Sequence, residues 1–118
     1  MTTSNCGKTF DHFAINVSFI RASVEWYKLE CSAVVLYEDE SWALLEVGGI
    51  KLALTLGSQH PPHIAFRCRD RHELERKGPS IGCHRDGTEF LYTSDLDGNF
   101  IEWIYYPQNR EGKNDNKE

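Results

Sequence analysis

A six-residue motif that occurs twice constrains the fold of this chain more than any other sequence feature. Residues 12–17 (HFAINV) and 63–68 (HIAFRC) both begin with histidine and alternate in the same way, at an offset of 51 residues. A second pair of segments, 49–53 (GIKLA) and 98–102 (GNFIE), repeats at an offset of 49 residues. Offsets this similar indicate a duplicated module with one small insertion or deletion, whose two copies are related by a pseudo-twofold axis.

The order of hydrophobic patterns is the same in both halves of the chain. Alternating apolar residues predict β-strands, and apolar residues three to four positions apart predict an α-helix. Each half is therefore predicted to form a βαβββ module, the first at 10–57 and the second at 62–106. The predicted strands of the two modules are 10–17, 33–38, 42–47 and 50–56, then 63–68, 82–85, 88–93 and 100–106.

The first predicted helix spans 20–29, and the second is a short helix ended by Gly78 and the following proline. Ser18 is positioned to cap the first helix. Asp70 and Glu73 resemble a capping box for the second helix. Outside the two modules, we expect a loose lead-in at 1–9 and a disordered tail at 107–118, where almost every residue is polar.

Composition limits the classes of protein that this chain can belong to. Its 118 residues fit one domain with its own core, and its formal net charge of −5 gives no basic surface for nucleic acid. No apolar run approaches the roughly 18 residues that a membrane span needs, and the N-terminus lacks the pattern of a secretory signal. The four cysteines have neither zinc-ligand nor CxxC spacing, so we expect reduced thiols in the cytoplasm.

The segment 94–103 (SDLDGNFIEW) combines a tight turn with a strand. Asp97-Gly98 favours the turn, because glycine adopts positive φ without steric cost. In the strand that follows, alternation places Glu102 on one face with Phe100 and Ile104. Both faces of this strand are largely apolar, so both are expected to be covered. A carboxylate there is costly unless a positive or hydrogen-bonding group meets it.

Together, the segment 63–66 (HIAF), the helix ended by Gly78, and the segment 94–102 (SDLDGNFIE) resemble the vicinal oxygen chelate superfamily. That superfamily includes glyoxalase I, extradiol dioxygenases, fosfomycin-resistance thiol transferases and bleomycin-resistance proteins. Leu96 stands where the family usually has proline, a departure that affects only the rigidity of the turn. The resemblance implies an α+β fold in which two paired βαβββ modules form a curled, cup-shaped mixed sheet with the helices outside.

The resemblance also implies a divalent metal held by His12, His63 and Glu102. Strand alternation agrees, since it places all three on the face opposite the residues that pack against the helices. Ala14 and Ala65, the next residues on that face, leave space beside each histidine. Two histidines and one carboxylate leave coordination positions open, and Fe(II), Mn(II), Ni(II) and Zn(II) all fit such a site.

A metal of this kind would bind a small substrate through two neighbouring oxygens and act as a Lewis acid. Asn16 and Arg67 share the face of the two histidines and are candidates for orienting that substrate. Arg67 suits a carboxylate or a phosphonate, although it would also fit a solvent-exposed rim. His60 and His84 fall in predicted loops and are candidate proton shuttles, but a surface position is the favoured interpretation of both.

Ala53 narrows the choice of reaction. In glyoxalase-I-like members, the equivalent strand supplies a fourth ligand that also helps to move the proton, and alanine supplies none. The resemblance therefore favours a dioxygenase-like or thiol-transferase-like enzyme over glyoxalase I. Two alternatives stay open: a ligand-sequestering protein of the bleomycin-resistance type without catalysis, and a structural module with a vestigial site. As the family often dimerises, we also expect a homodimer.

Overall fold

The structure, a computed structural model, describes residues 8–107. This part of the chain forms two α-helices and eight β-strands, which confirms the predicted α+β class. The predicted tail lies outside the described residues except for Pro107, as does the predicted lead-in before Lys8. The elements are β1 (Thr9–Val17), α1 (Ile20–Cys31), β2 (Val34–Glu38), β3 (Trp42–Val47), β4 (Ile50–Leu56), β5 (His63–Arg67), α2 (Arg71–Glu75), β6 (Gly82–Cys83), β7 (Glu89–Ser94) and β8 (Phe100–Tyr105).

The eight strands form one mixed sheet in the order β2-β3-β4-β1-β5-β8-β7-β6. In the first half, β1 pairs with β4 in parallel, whereas β2, β3 and β4 pair as antiparallel neighbours. In the second half, β6, β7 and β8 are likewise antiparallel neighbours. Each half therefore contains the predicted order of strand, helix and three strands. Within the described residues, neither helix has the length and apolar content needed to cross a membrane.

Residues 10–65 form a compact unit with an aliphatic core. Ile20 and Val24 on α1 pack against strand residues that include Leu45 and Leu54, both fully buried. Burying a side chain of this size stabilises the fold by about 1.5–3 kcal/mol. The residues Ile15, Val17, Leu52 and Leu56 add to this core, so β1 and β4 turn their other faces away from α1. His12, Ala14 and Ala53 lie on those other faces.

The predicted cap of the first helix is wrong. The helix begins at Ile20 as predicted, but its N-cap residue is Phe19, which makes no side-chain capping bond. The helix also runs on to Cys31, where Ser32 adopts the left-handed conformation (φ 55°) and donates its backbone N–H to the Tyr27 carbonyl. Packing of the apolar face, rather than a polar cap, therefore fixes this helix.

Residues 8–9 and 66–107 belong to a second unit with a smaller core. Cys68, Leu74 and Leu91 are its buried apolar residues, and Ile81, Trp103 and Tyr105 pack around them. Helix α2 begins as predicted at the Asp70 cap, whose side chain accepts from the Glu73 backbone N–H at 2.8 Å. The Glu73 carboxylate accepts from the Arg69 backbone N–H instead of closing the box on Asp70.

The turn between β7 and β8 sets the register of the strand that carries Glu102. One Asp95 oxygen accepts from the backbone N–H groups of Asp97 and Asn99, both at 2.9 Å, and Gly98 has a φ of 89°. Hydrogen bonds from Asn99 are the largest cause of a lowered pKa at Asp95. With the turn fixed in this way, β8 pairs with β7 so that Glu102 lies directly opposite Tyr92.

Candidate metal centre

The two histidines of the repeated motif lie side by side. Their Nε2 atoms are 3.3 Å apart, and their rings meet edge to face with centroids 5.4 Å apart. Each Nδ1 atom faces a partner of its own. An Asp11 carboxylate oxygen lies 2.7 Å from Nδ1 of His12, and the Pro61 carbonyl oxygen lies 3.0 Å from Nδ1 of His63.

These partners determine which ring nitrogen carries the hydrogen. A carbonyl and an ionised carboxylate only accept hydrogen bonds, so each Nδ1 is the donor, which leaves Nε2 as the nitrogen that can bind a metal. The two Nε2 atoms lie 3.3 Å apart. Two nitrogens that bind one ion at about 2.1 Å would be about 3.0–3.4 Å apart for octahedral to tetrahedral angles. The histidine pair therefore fits a metal ion.

Glu102 lies in the middle of β8 and is only 2% exposed. Burying an ionised carboxylate is costly without a partner. His84 is one such partner, since its Nε2 atom lies 3.0 Å from Oε2 of Glu102. The prediction that something positive or hydrogen-bonding must meet this carboxylate is therefore confirmed.

His12, His63 and Glu102 form a group that could hold a metal ion. Each offers one ligand atom, and these atoms all lie within 4.8 Å of one another. Two imidazole nitrogens and a carboxylate oxygen suit several divalent first-row metals, so the donor set does not select one ion. The hydrogen bonds from the two Nδ1 atoms are of the type that orients histidine ligands in metalloproteins.

From the sequence, a surface position is the favoured interpretation of His84. The structure shows instead that this residue contacts Glu102. The residue follows β6 directly, and its ring stacks on Phe90 with centroids 3.9 Å apart and an interplanar angle of 10°. A loop histidine belongs to no periodic pattern, so side-chain alternation does not single it out. The signal that could have found it is the short β6–β7 connection, which returns this residue toward β8.

Tyr92, opposite Glu102, is also close to the carboxylate. Burial, and then the Glu102 charge, raise the pKa of the Tyr92 hydroxyl. The hydroxyl therefore stays protonated at neutral pH, so it cannot act as a base there.

Of the predicted substrate-binding residues, Asn16 and Arg67 are both exposed. The Asn16 amide oxygen accepts from the Thr55 hydroxyl at 3.0 Å, within the first unit. The Arg67 guanidinium lies 3.9 Å from the centroid of the Tyr106 ring, a cation–π contact in the second unit. Their role toward a substrate stays a prediction. Ala53 is buried and pairs with Ala14 on β1, so its strand supplies no ligand at that position.

Comparisons with known proteins bear on what this site does. No family model matches the chain. The chain is 32% identical over 113 residues to a protein of Staphylococcus haemolyticus named metallothiol transferase FosB, with 80% of this chain and 81% of the relative covered.

Two solved structures share the fold at low sequence identity. A glyoxalase/bleomycin resistance protein/dioxygenase superfamily member from Vibrio splendidus 12B01 has a TM-score of 0.68 and 12% identity, over 85% of this chain and 100% of that one. Methylmalonyl-CoA epimerase from Mycobacterium tuberculosis has a TM-score of 0.63 and 20% identity, over 87% and 91%.

The fold and these relatives define the class: the chain belongs to the vicinal oxygen chelate superfamily, the glyoxalase/bleomycin resistance protein/dioxygenase group. This confirms the resemblance found in the segment 63–66, the helix ended by Gly78 and the segment 94–102. Within the superfamily, the relative from S. haemolyticus is a metallothiol transferase by name.

Proposed function

We propose that this protein is a metal-dependent thiol transferase that acts on a small, oxygen-rich electrophile. His12, His63 and Glu102 hold the metal in this proposal. The observation that supports it most directly is the 3.3 Å distance between the Nε2 atoms of His12 and His63, which is the separation expected of two ligands of one metal ion. The metallothiol transferase relative, at 32% identity over most of both chains, supports this branch of the superfamily over the others.

A bound divalent ion would supply Lewis-acid polarisation of a substrate oxygen. The chain's own groups hold and orient the reactants. Asp11 and the Pro61 carbonyl keep the two histidines in the tautomer that can bind a metal. Arg67, which is exposed and cationic, attracts a carboxylate or phosphonate group of the substrate, and the exposed amide of Asn16 orients it.

With an epoxide as the electrophile, the balance of the reaction is simple. The thiolate sulfur attacks a ring carbon, one C–S bond forms and one C–O bond breaks. The epoxide oxygen then takes up the proton that the thiol gave up, so no oxidant or reductant is needed. Ala53 weighs against a glyoxalase-I-type isomerisation, because it provides no carboxylate to move a proton.

A dioxygenase is the second candidate. Two histidines and one carboxylate with open positions are also the ligand set of non-haem Fe(II) oxygenases. The named relative weighs against it. Oxygen consumption on catechols with Fe(II) would separate this reaction from thiol transfer.

We also propose that the protein acts as a cytoplasmic homodimer on a small-molecule substrate. Cys31, Cys68 and Cys83 are free thiols, as expected in a reducing compartment.

Edge strand β2 exposes Val34 and Leu36, which supports pairing with a second copy. Light scattering is expected to give the mass of two chains; the mass of one would contradict the dimer.

The proposed activity is tested with protein purified without chelator. Elemental analysis is expected to find about one divalent ion per chain. Loss of a thiol is then followed with fosfomycin as the epoxide, before and after metal removal, and it is expected only with metal and epoxide together. His63→Ala should abolish the reaction, whereas His60→Ala, at an exposed histidine, should not. Absence of stoichiometric metal, or metal binding without thiol loss, would contradict the proposal.

A further inference from the structure

We infer that His84 is a positioning residue that fixes one oxygen of the Glu102 carboxylate, so that Glu102 binds the metal through its other oxygen. This inference rests on the proposed metal site but concerns a residue outside the ligand group. The contact that carries it joins Nε2 of His84 to Oε2 of Glu102 at 3.0 Å. Because an ionised carboxylate only accepts hydrogen bonds, Nε2 of His84 is the donor.

The His84 ring is held in place from one side by an aromatic stack. It lies nearly parallel to the Phe90 ring, with centroids 3.9 Å apart. Gly82 makes this stack possible, because it pairs with Phe90 across β6 and β7. A Cβ atom on Gly82 would lie 2.9 Å from Cζ of Phe90, closer than such atoms normally approach.

The backbone around His84 is held as well. Its N–H donates to the Thr88 carbonyl at 2.9 Å, and its own carbonyl accepts from Gly87 at 3.0 Å. Asp86 accepts from both the backbone N–H and the hydroxyl of Thr88, at 2.9 and 2.7 Å. Gly87 has a φ of 94°, which a residue with a side chain rarely adopts. The loop is therefore a closed turn that presents the imidazole to β8 in one orientation.

Fixing one carboxylate oxygen has a chemical consequence. A carboxylate can bind a metal through one oxygen or through both, and the hydrogen bond to Oε2 favours binding through Oε1 alone. A ligand that takes one position instead of two leaves more of the metal's coordination sphere for a substrate that chelates through two oxygens. The same hydrogen bond stabilises the buried charge of Glu102, which is 2% exposed.

In the described structure, His84 contacts the ligand group without being one of its members. His12, His63 and Glu102 offer ligand atoms within 4.8 Å of one another, and His84 is not a member of that group. Its side chain is 37% exposed, whereas that of Glu102 is 2% exposed. The geometry thus assigns His84 a hydrogen bond to the ligand rather than a bond to the metal.

The test compares three variants by their affinity for Zn(II), measured in competition with a chromophoric chelator. His84→Phe keeps a ring to stack on Phe90 but removes the donor, and is expected to bind Zn(II) about 10- to 100-fold more weakly than the wild type. His84→Gln restores an N–H donor and is expected to recover most of that loss. His72→Phe changes a histidine that is 74% exposed and is expected to bind as the wild type does.

A spectroscopic readout separates positioning from a general structural effect. With Co(II) as the probe, His84→Phe is expected to show weaker visible d–d absorption than the wild type, because a carboxylate that binds through both oxygens raises the coordination number. Wild-type affinity and an unchanged Co(II) spectrum in His84→Phe would overturn the inference and leave the proposed function standing. X-ray absorption showing three imidazoles on the metal would overturn it too. Failure of the wild type to bind either ion would overturn both.

Discussion

The two copies of the repeated module differ most at equivalent positions on their last strands. In the first copy this position is Ala53 on β4, a buried methyl group that pairs with Ala14. In the second copy it is Glu102 on β8, a buried carboxylate with His84 as a hydrogen-bond partner. The first strand of each copy has kept its histidine. The repeated pattern thus has two different residues at this position, and only the carboxylate can bind a metal.

The two copies also differ in how they are packed. The first has a 12-residue helix over an aliphatic core, with Leu45 and Leu54 fully buried. The second has a 5-residue helix, a smaller core and more charge, including a Lys8–Glu73 ion pair and a Lys77 ammonium 4.1 Å from the Trp103 ring centroid. This contrast indicates that the first copy contributes most of the stability, while the second contributes the carboxylate and its support.

The largest effect is expected from Glu102→Ala. Removal of the proposed carboxylate ligand should abolish tight Zn(II) binding, measured by competition titration, while circular dichroism shows a folded chain. Glu46→Ala on β3 is the matched control in the first copy and should bind Zn(II) normally. If Glu102→Ala bound Zn(II) as tightly as the wild type, Glu102 would not be a ligand, and β4 and β8 would not differ in metal binding.

Core truncation compares the stability of the two copies. Leu54→Ala is expected to lower the free energy of unfolding by about 3–5 kcal/mol, and Leu74→Ala by about 2–3 kcal/mol, because fewer apolar residues surround Leu74. Urea denaturation measures both. Leu29→Ala, at a side chain that is 80% exposed, should stay within about 0.5 kcal/mol of the wild type. Equal losses at Leu54 and Leu74 would count against the contrast in packing.

Two glycines provide a milder test of the support for Glu102. Gly82→Ala is expected to displace Phe90 and, with it, the stacked His84 ring, and so to weaken Zn(II) binding by up to about 10-fold. Gly57→Ala is the control, since a Cβ there meets only the Asn16 side chain, at 3.9 Å. Isothermal titration calorimetry compares them, and equal affinities would mean that the aromatic stack does not position the ligand.

The smallest effect concerns the two helix starts. Asp70→Ala removes a side-chain bond to the Glu73 backbone N–H and is expected to cost about 1 kcal/mol in the free energy of unfolding. Ser18→Ala should cost less than about 0.5 kcal/mol, because Ser18 is not the cap of α1. A larger loss for Ser18→Ala in urea denaturation would show that the first helix depends on a polar cap after all.

Much of the fold could be predicted because the side-chain alternation is strong. The strands 42–47 and 50–56 match the structure at both ends, and β1 begins at Thr9, one residue before its predicted start. The predicted strand 82–85 is shorter in the structure, since His84 turns to bond with Thr88 after only two strand residues. The prediction that Ser18 caps α1 was wrong because a polar residue before a helix is only a statistical signal. Apolar packing determines where this helix begins.

The candidate site was predictable only in part, for a physical reason. His12, His63 and Glu102 each occupy a strand position whose face is set by alternation, so the sequence indicates them. The contact between His84 and Glu102 depends on the path of a closed turn between β6 and β7. The partner of the His63 Nδ1 atom cannot be predicted from side-chain patterns either. Pro61 contributes through its backbone carbonyl and not through its side chain.

The most direct test of the proposed metal centre is the X-ray absorption spectrum of the protein loaded with one equivalent of Zn(II). The expected spectrum shows two imidazole nitrogens from His12 and His63 and a carboxylate oxygen from Glu102, and Glu102→Ala, in which tight Zn(II) binding is lost, does not give this spectrum. A spectrum without paired imidazole scattering, or one that Glu102→Ala leaves unchanged, would contradict a cation shared by these three side chains.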